Sequence, residues 1–257
     1  KVIRYPVYWK EDFQIFPDRL AELVSNKTKL IVLVNPDNPT GRVLEKENVK
    51  GIVELAEDHD FYVLSDEIYK RIVYEGEYVS AYKFSHERVI GVYSFSKVAS
   101  MPGIRLGCVY GDKQIVDAVQ KLNQYLLLCP NKLSQQAVRI FLEHWDEKEK
   151  YVENVVKTYK ERRDKMGECI DKYLGGVGYS KPKSGFFFFL DISEYTDDDE
   201  VFANKLLEKR GVVVIPGRYF GENGKAHIRV TFVSEPKERI EEGIRKMGEF
   251  MVSDLGC

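Results

Sequence analysis

The chain has 257 residues, of which 44% are hydrophobic and 31% are charged, and its net charge is −2 at pH 7. This composition is typical of a globular protein with enough length for one large domain or two smaller ones. Because there is no basic excess and no apolar run of about 20 residues, we expect neither nucleic acid nor a membrane as a partner.

Four cysteines and four histidines are scattered along the sequence, and no two cysteines form a CxxC pair. This spacing argues against a structural zinc site and against a disulfide framework. We therefore expect no bound metal and a reduced, cytoplasmic setting.

The first half of the chain predicts strands and one clear helix. KVIRYPVYW (1–9) has the β-branched and aromatic content of a strand, and the apolar run LIVLV (30–34) indicates a fully buried one. Apolar residues then recur at helical spacing over 45–58. Three more strands are predicted at FYVLS (61–65), VIGVYS (89–94) and LGCVYG (106–111). This alternation favours an α/β fold with a mostly parallel sheet covered by helices on both faces.

From residue 112 the pattern becomes helical, and it predicts three helices, the last over 148–173. Beyond them, a smaller α+β unit is predicted from strands at 186–192, 212–217 and 227–232 and helices at 198–210 and 236–251. We place the boundary near residue 150, so that 1–150 belong to a large domain and 151–257 to a small C-terminal domain.

Polar residues follow three of the predicted strands, where open α/β sheets bind ligands. Asn35 through Gly41 follow the first, Asp66 and Tyr69 the second, and Ser94, Ser96 and Lys97 the third. Each group alone has a simpler explanation, because NPDNPTG can be a turn, Asp66 can cap a helix and Lys97 can be a surface lysine.

Together these groups suit the chemistry of pyridoxal phosphate. An amine can bond to the aldehyde of this cofactor, and a carboxylate can keep its ring nitrogen protonated. Hydroxyls and an arginine can bind the phosphate, the arginine through its two-pronged guanidinium.

The motifs NPDNPTG, SDEIY, SFSKVASMPGIRLG and HIRVTF occur in this order, and together they resemble the fold-type I aminotransferases of classes I and II, the aspartate aminotransferase-like group. The resemblance covers residues 1 to about 251. It implies a pyridoxal phosphate-dependent enzyme of amino acid metabolism, a homodimer that exchanges the amino group of an amino acid with a 2-oxo acid.

The resemblance also implies a role for each matching residue. Lys97 is the Schiff-base lysine, Asp66 pairs with the pyridine nitrogen, Tyr69 and Asn38 bond the ring hydroxyl, Ser94, Ser96 and Arg105 hold the phosphate, Arg229 binds the substrate α-carboxylate, and Gly185 lies close to the substrate. We further expect Gly103 and Gly107 to let the backbone bend so that Arg105 turns inward.

The family carries an N-terminal stretch before the strand that KVIRYPV resembles. That stretch supplies a helix N-terminus at the phosphate, an aromatic residue on the cofactor ring and a residue that reaches the partner subunit. The resemblance therefore implies an incomplete large domain, and we expect this chain alone to bind the cofactor poorly or not at all.

Two alternatives remain open. A β-eliminase or C–S lyase would use the same cofactor residues, and a non-catalytic domain of this fold would be either the sensing part of a regulator or an inactive fragment. The sequence shows no helix-turn-helix or basic segment, which argues against the regulator. Without the resemblance, Arg229 would be interpreted as a strand arginine that faces solvent.

Overall fold

The computed structural model describes residues 1–255, so Cys257 lies outside the described residues. The helices are α1 (Pro17–Ala21), α2 (Lys46–Asp58), α3 (Phe95–Val98), α4 (Lys113–Leu127), α5 (Lys132–Glu143), α6 (Trp145–Tyr173), α7 (Asp199–Arg210) and α8 (Lys237–Leu255). The strands are β1 (Leu30–Val34), β2 (Tyr62–Asp66), β3 (Val89–Ser94), β4 (Gly107–Tyr110), β5 (Phe187–Asp191), β6 (Ile215–Pro216) and β7 (His227–Thr231).

The chain divides into two compact units. The Lys97 unit contains residues 15–36 and 43–155, and the Arg229 unit contains residues 1–14, residues 37–42 and the described residues from Val156 on. The start of the chain and the short loop at 37–42 thus group with its C-terminal part. The assignment of 1–150 and 151–257 to two domains stays a prediction.

The Lys97 unit is built on a four-stranded sheet in the order β1-β2-β3-β4. The first three strands are parallel and β4 is antiparallel to β3, which confirms a mostly parallel α/β sheet. Helix α2 buries its predicted apolar face, with Val49, Ile52, Val53 and Ala56 at most 1% exposed. Burial of this stripe stabilises the helix against the sheet.

The prediction of a fully buried strand at 30–34 is wrong. Leu33 is 1% exposed, but Leu30 is 47% and Val32 is 61% exposed. The reason is that β1 is the edge strand of the sheet, and in the described part of the chain only the face that carries Leu33 is covered.

The Arg229 unit contains a three-stranded antiparallel sheet in the order β5-β7-β6. Its core includes the fully buried side chains of Phe188, Leu190 and Ile228. Helices α7 and α8 contact each other through an edge-to-face pair of Phe202 and Phe250, whose ring centroids are 5.4 Å apart. The unit is thus the α+β arrangement that the sequence predicts.

The predicted strand at 1–9 is also wrong, because residues 1–8 form neither helix nor strand and a 3-10 helix follows at Trp9–Glu11. A strand needs a partner, and neither sheet includes these residues. The Trp9 indole instead donates a hydrogen bond to Asp191, with Nε1 2.9 Å from Oδ2.

None of the helices in the described residues is both long and apolar enough to cross a membrane.

Candidate active site

Asp66 is the last residue of β2, and the local chain holds its carboxylate in place. The strand forms because Phe61 and Val63 are fully buried, and it ends where the polar residues begin. Oδ1 of Asp66 accepts a hydrogen bond from the backbone N–H of Ile68 at 3.1 Å. Asp66 therefore does form a local hydrogen bond with the turn after the strand. This bond fixes its half-buried carboxylate at the carboxyl end of the strand.

Ser94 and Ser96 lie at the end of β3, the neighbouring parallel strand. Ser94 caps α3, and its Oγ accepts from the Ser96 backbone N–H at 3.2 Å. The Ser94 hydroxyl donates to Ser96 Oγ at 3.0 Å. In the strand register Asp66 pairs with Val92, so the carboxylate and the hydroxyls follow adjacent strand ends of one sheet.

Lys97 lies within α3, and its half-buried side chain reaches back to the segment after β2. The ammonium nitrogen Nζ lies 5.9 Å from the centroid of the Tyr69 ring, within the range of a cation–π interaction. The Tyr69 side chain is buried, at 5% exposed. The Lys97 unit therefore places the Lys97 amine near the Tyr69 ring, and it places the carboxylate and the two hydroxyls at adjacent strand ends.

Arg105 differs from its predicted setting. Its side chain is exposed, and Nη1 donates to the carbonyl oxygen of Pro102 at 2.9 Å. The bend that we assigned to Gly103 lies at Arg105 itself, whose φ is 52° in the left-handed region. A glycine is required at position 107 for a different reason. An added Cβ would lie 2.6 Å from the carbonyl oxygen of Tyr93 on the paired strand.

Arg229 and Asn38 meet within the Arg229 unit. Nη1 of Arg229 donates to Oδ1 of Asn38 at 3.0 Å. The Arg229 side chain is half-buried in the middle of β7, so it does not fit a strand arginine that simply faces solvent. Its guanidinium carbon lies 4.2 Å from the ring centroid of Phe187 and 4.8 Å from that of Phe220.

Gly185 lies just before β5 in the same unit and is buried. Its φ of 72° is in the left-handed region, which glycine adopts without the steric cost that a side chain brings. The backbone conformation therefore explains why a glycine occupies this position, and its proximity to a substrate stays a prediction.

Glu67 follows Asp66 directly at the end of the predicted strand, but the sequence predicted no role for it. The side chain is fully buried, and Oε2 accepts from the Tyr110 hydroxyl at 2.5 Å and from Lys70 Nζ at 3.1 Å. Oε1 accepts from the Ser65 hydroxyl at 3.3 Å and also from the Ser80 hydroxyl. Glu67 thus fastens β2 to β4 and to the 3-10 helix at Ala81–Lys83 that Ser80 caps.

The tyrosines near this carboxylate are held in their neutral form. Burial, and then the hydrogen bond to Glu67, raise the pKa of Tyr110 well above its usual range. Burial also raises the pKa of Tyr93 on the adjacent strand to about 12. Both phenols therefore keep their protons at neutral pH, and Tyr110 remains a hydrogen-bond donor to Glu67. In the sequence, the only indication of a role for Glu67 was its position as a second acidic residue at the end of an apolar strand.

The comparisons with known proteins agree on one family. A family model described as aminotransferase class I and II matches residues 1–247. An aspartate aminotransferase of Pyrococcus horikoshii is 37% identical over 94% of this chain and 61% of its own length. An aromatic-amino-acid aminotransferase of Thermococcus litoralis is 30% identical over 96% of this chain and 63% of its own length.

A solved structure has the same fold. The aspartate aminotransferase of Thermus thermophilus with maleate matches with a TM-score of 0.90 and 29% identity, over 95% of this chain and 62% of that one. The chain thus spans about three fifths of the length of the curated relatives named above. Members of this aminotransferase family use pyridoxal phosphate.

Proposed function

Because this chain belongs to the family of class I and II aminotransferases, we propose that the protein transfers an amino group between an amino acid and a 2-oxo acid with pyridoxal phosphate. The observation that carries the proposal is the placement of the Lys97 amine beside the Tyr69 ring, with the Asp66 carboxylate and the Ser94 hydroxyl at adjacent strand ends.

The donor set of the Lys97 unit fits the chemistry of this cofactor. The Lys97 amine would bond to the aldehyde, the Asp66 carboxylate would face the ring nitrogen, and the hydroxyls of Ser94 and Ser96 would bind phosphate oxygens. The assignments of Arg105 to the phosphate, and of Tyr69 and Asn38 to the ring hydroxyl, belong to the same proposal. When bound, the cofactor supplies an electron sink for the negative charge that develops at the substrate α-carbon.

Two residues of the chain, Lys97 and Asp66, would control the positions of two protons, one from the substrate α-carbon and one on the ring nitrogen. Once the substrate amine has replaced it at the aldehyde, the freed Lys97 Nζ would act as the general base that takes the proton from the substrate α-carbon and later returns a proton. The negative charge of Asp66 would favour a proton on the ring nitrogen of the bound cofactor. The buried ring of Tyr69 limits the positions open to the Lys97 amine.

Arg229 is the proposed partner of the substrate α-carboxylate. Its guanidinium can bind a carboxylate through two parallel hydrogen bonds, and Asn38 and two aromatic rings already restrict where it points. The relatives named above include an aspartate aminotransferase and an aromatic-amino-acid aminotransferase. The proposal therefore concerns the α-amino and α-carboxylate groups that all of these substrates share.

The test uses the full-length protein with pyridoxal phosphate, 2-oxoglutarate and a panel of amino donors, with chromatography of the amino acid products. We expect glutamate and the matching oxo acid in equal amounts. Release of pyruvate and ammonia from a β-substituted amino acid, without glutamate, would instead support the lyase. Cofactor binding with neither reaction would support the non-catalytic alternative.

A homodimer and a cytoplasmic location are further parts of the proposal. The support for a homodimer is a group of exposed apolar side chains at the end of α4 and the start of α5, which a second copy could cover: Leu126, Leu127, Leu128 and Leu133. Light scattering of the full-length protein checks the homodimer, and a monomer at micromolar concentration would contradict it. The support for the cytoplasm is that the three cysteines in the described residues are free thiols.

A further inference from the structure

We infer that Phe187 and Phe220 are positioning residues that fix the orientation of the Arg229 guanidinium, and that this orientation sets the affinity for the substrate carboxylate. The inference rests on the proposed role of Arg229. The guanidinium lies over both phenyl rings, at 4.2 Å from the centroid of Phe187 and 4.8 Å from that of Phe220.

The two rings come from different parts of the Arg229 unit. Phe187 begins β5, and because Phe189 pairs with Arg229 in the antiparallel register, Phe187 is its diagonal neighbour on the same face. Phe220 ends the 3-10 helix Gly217–Phe220. The fold thus places aromatic faces on the guanidinium from a strand and from a separate turn.

The ring of Phe220 is itself held in place. It packs edge-to-face on Phe189 with ring centroids 5.9 Å apart. Phe189 is 5% exposed and stacks on His227 at 5.0 Å. Because the Phe220 ring is held in place, it cannot move together with the Arg229 side chain. It can therefore restrict the motion of the guanidinium.

At least three contacts among the described residues therefore act on one guanidinium: two rings, and the Oδ1 of Asn38 on Nη1. A free arginine side chain has many rotamers, and a carboxylate that binds it must pay for their loss. Two parallel hydrogen bonds to a carboxylate also require the guanidinium plane to point at it. Fixing the plane before binding lowers that entropic cost.

The first experiment measures the mobility of Arg229 directly, without activity. In the full-length protein the NMR signal of the Arg229 Nε–H group, assigned by its loss in Arg229→Lys, reports motion on the picosecond to nanosecond timescale. We expect an order parameter close to that of rigid backbone, about 0.85, in the wild type and a value below about 0.6 in Phe220→Leu. Phe220→Tyr keeps the ring and should keep the rigid value.

The second experiment measures steady-state kinetics of the same variants with pyridoxal phosphate. Phe220→Leu should raise KM for both amino acid and oxo acid about three- to tenfold, the range of a cation–π contact. The kcat should stay within about twofold, because a carboxylate held equally in ground and transition states affects KM alone. Phe220→Tyr should restore KM.

Phe250→Leu is the matched control. It removes the same atoms from the Phe202–Phe250 pair between α7 and α8 and should lower the unfolding temperature without changing KM. If folded Phe220→Leu kept a rigid Arg229 and an unchanged KM, the inference would be overturned but the proposed function would stand. An equal rise of KM in Phe250→Leu would have the same consequence. A wild-type protein that binds pyridoxal phosphate but transfers no amino group would overturn the proposed function and this inference together.

Discussion

Replacement of Glu67 by alanine should destabilise the Lys97 unit strongly. The carboxylate is fully buried and accepts hydrogen bonds from Tyr110, Ser80 and Ser65 as well as from the Lys70 ammonium. In Glu67→Ala these donors lose their acceptor. The Ser65 hydroxyl is buried, whereas Ser80, Tyr110 and Lys70, whose side chain is 28% exposed, are half-buried.

The magnitude follows from these contacts. A buried donor left without its acceptor costs about 1–3 kcal/mol, so the three hydroxyls together should cost about 3–5 kcal/mol, towards the low end because Ser80 and Tyr110 are only half-buried. At about 2–4 °C per kcal/mol for a chain of this size, the unfolding midpoint should fall by roughly 6–20 °C. Glu67→Gln keeps the shape but presents an N–H group to hydroxyl donors, and we expect an intermediate loss.

The assays are thermal and urea unfolding combined with hydrogen exchange of the β2 and β3 amides, because two compact units need not unfold in one step. Glu57→Ala, an exposed carboxylate on α2, is the control and should change the free energy of unfolding by less than about 0.5 kcal/mol. A loss of less than about 1 kcal/mol in Glu67→Ala would refute the reasoning that this buried carboxylate fastens β2 to β4.

Two further predictions concern the proposed reaction. Asp66→Asn should leave cofactor binding only modestly weaker, as an absorbance titration would show. It should lower kcat by up to about three decades, because two opposite charges in contact near a protein surface attract by about 4 kcal/mol. A near-normal kcat would exclude the proposed role of its charge. Arg229→Leu should raise KM for every amino donor by about two to four decades, the loss of two charged hydrogen bonds of about 1.5–3 kcal/mol each, and spare cofactor binding. A loss confined to one class of side chain, in a donor panel, would show that Arg229 contacts the side chain instead.

The strands that carry the candidate site, β2 and β3, could be predicted because each is an apolar run that ends where polar residues begin. The polar residues that follow them, Asp66 and Ser94, lie at adjacent strand ends as expected. The strand predicted at 1–9 failed for the converse reason. Its composition suits a strand, but composition does not provide a pairing partner.

Features that depend on distant contacts could not be predicted. Glu67 gains its role from Tyr110, which lies 43 residues further along the chain. The rings of Phe187 and Phe220 reach Arg229 only through the strand register and a 3-10 helix. At Arg105 the glycines nearby suggested the bend, but the left-handed conformation falls on the arginine itself. Local patterns contain no information about such pairings.

We expect Lys97 to bond covalently to pyridoxal phosphate. The full-length protein is incubated with the cofactor and reduced with borohydride, and its peptides are then analysed by mass spectrometry. We predict a phosphopyridoxyl mass on the peptide that contains Lys97, its loss in Lys97→Ala, and its retention in Lys83→Ala, which changes an exposed lysine of the same unit. A label on other lysines, with the Lys97 peptide unmodified, would contradict the account.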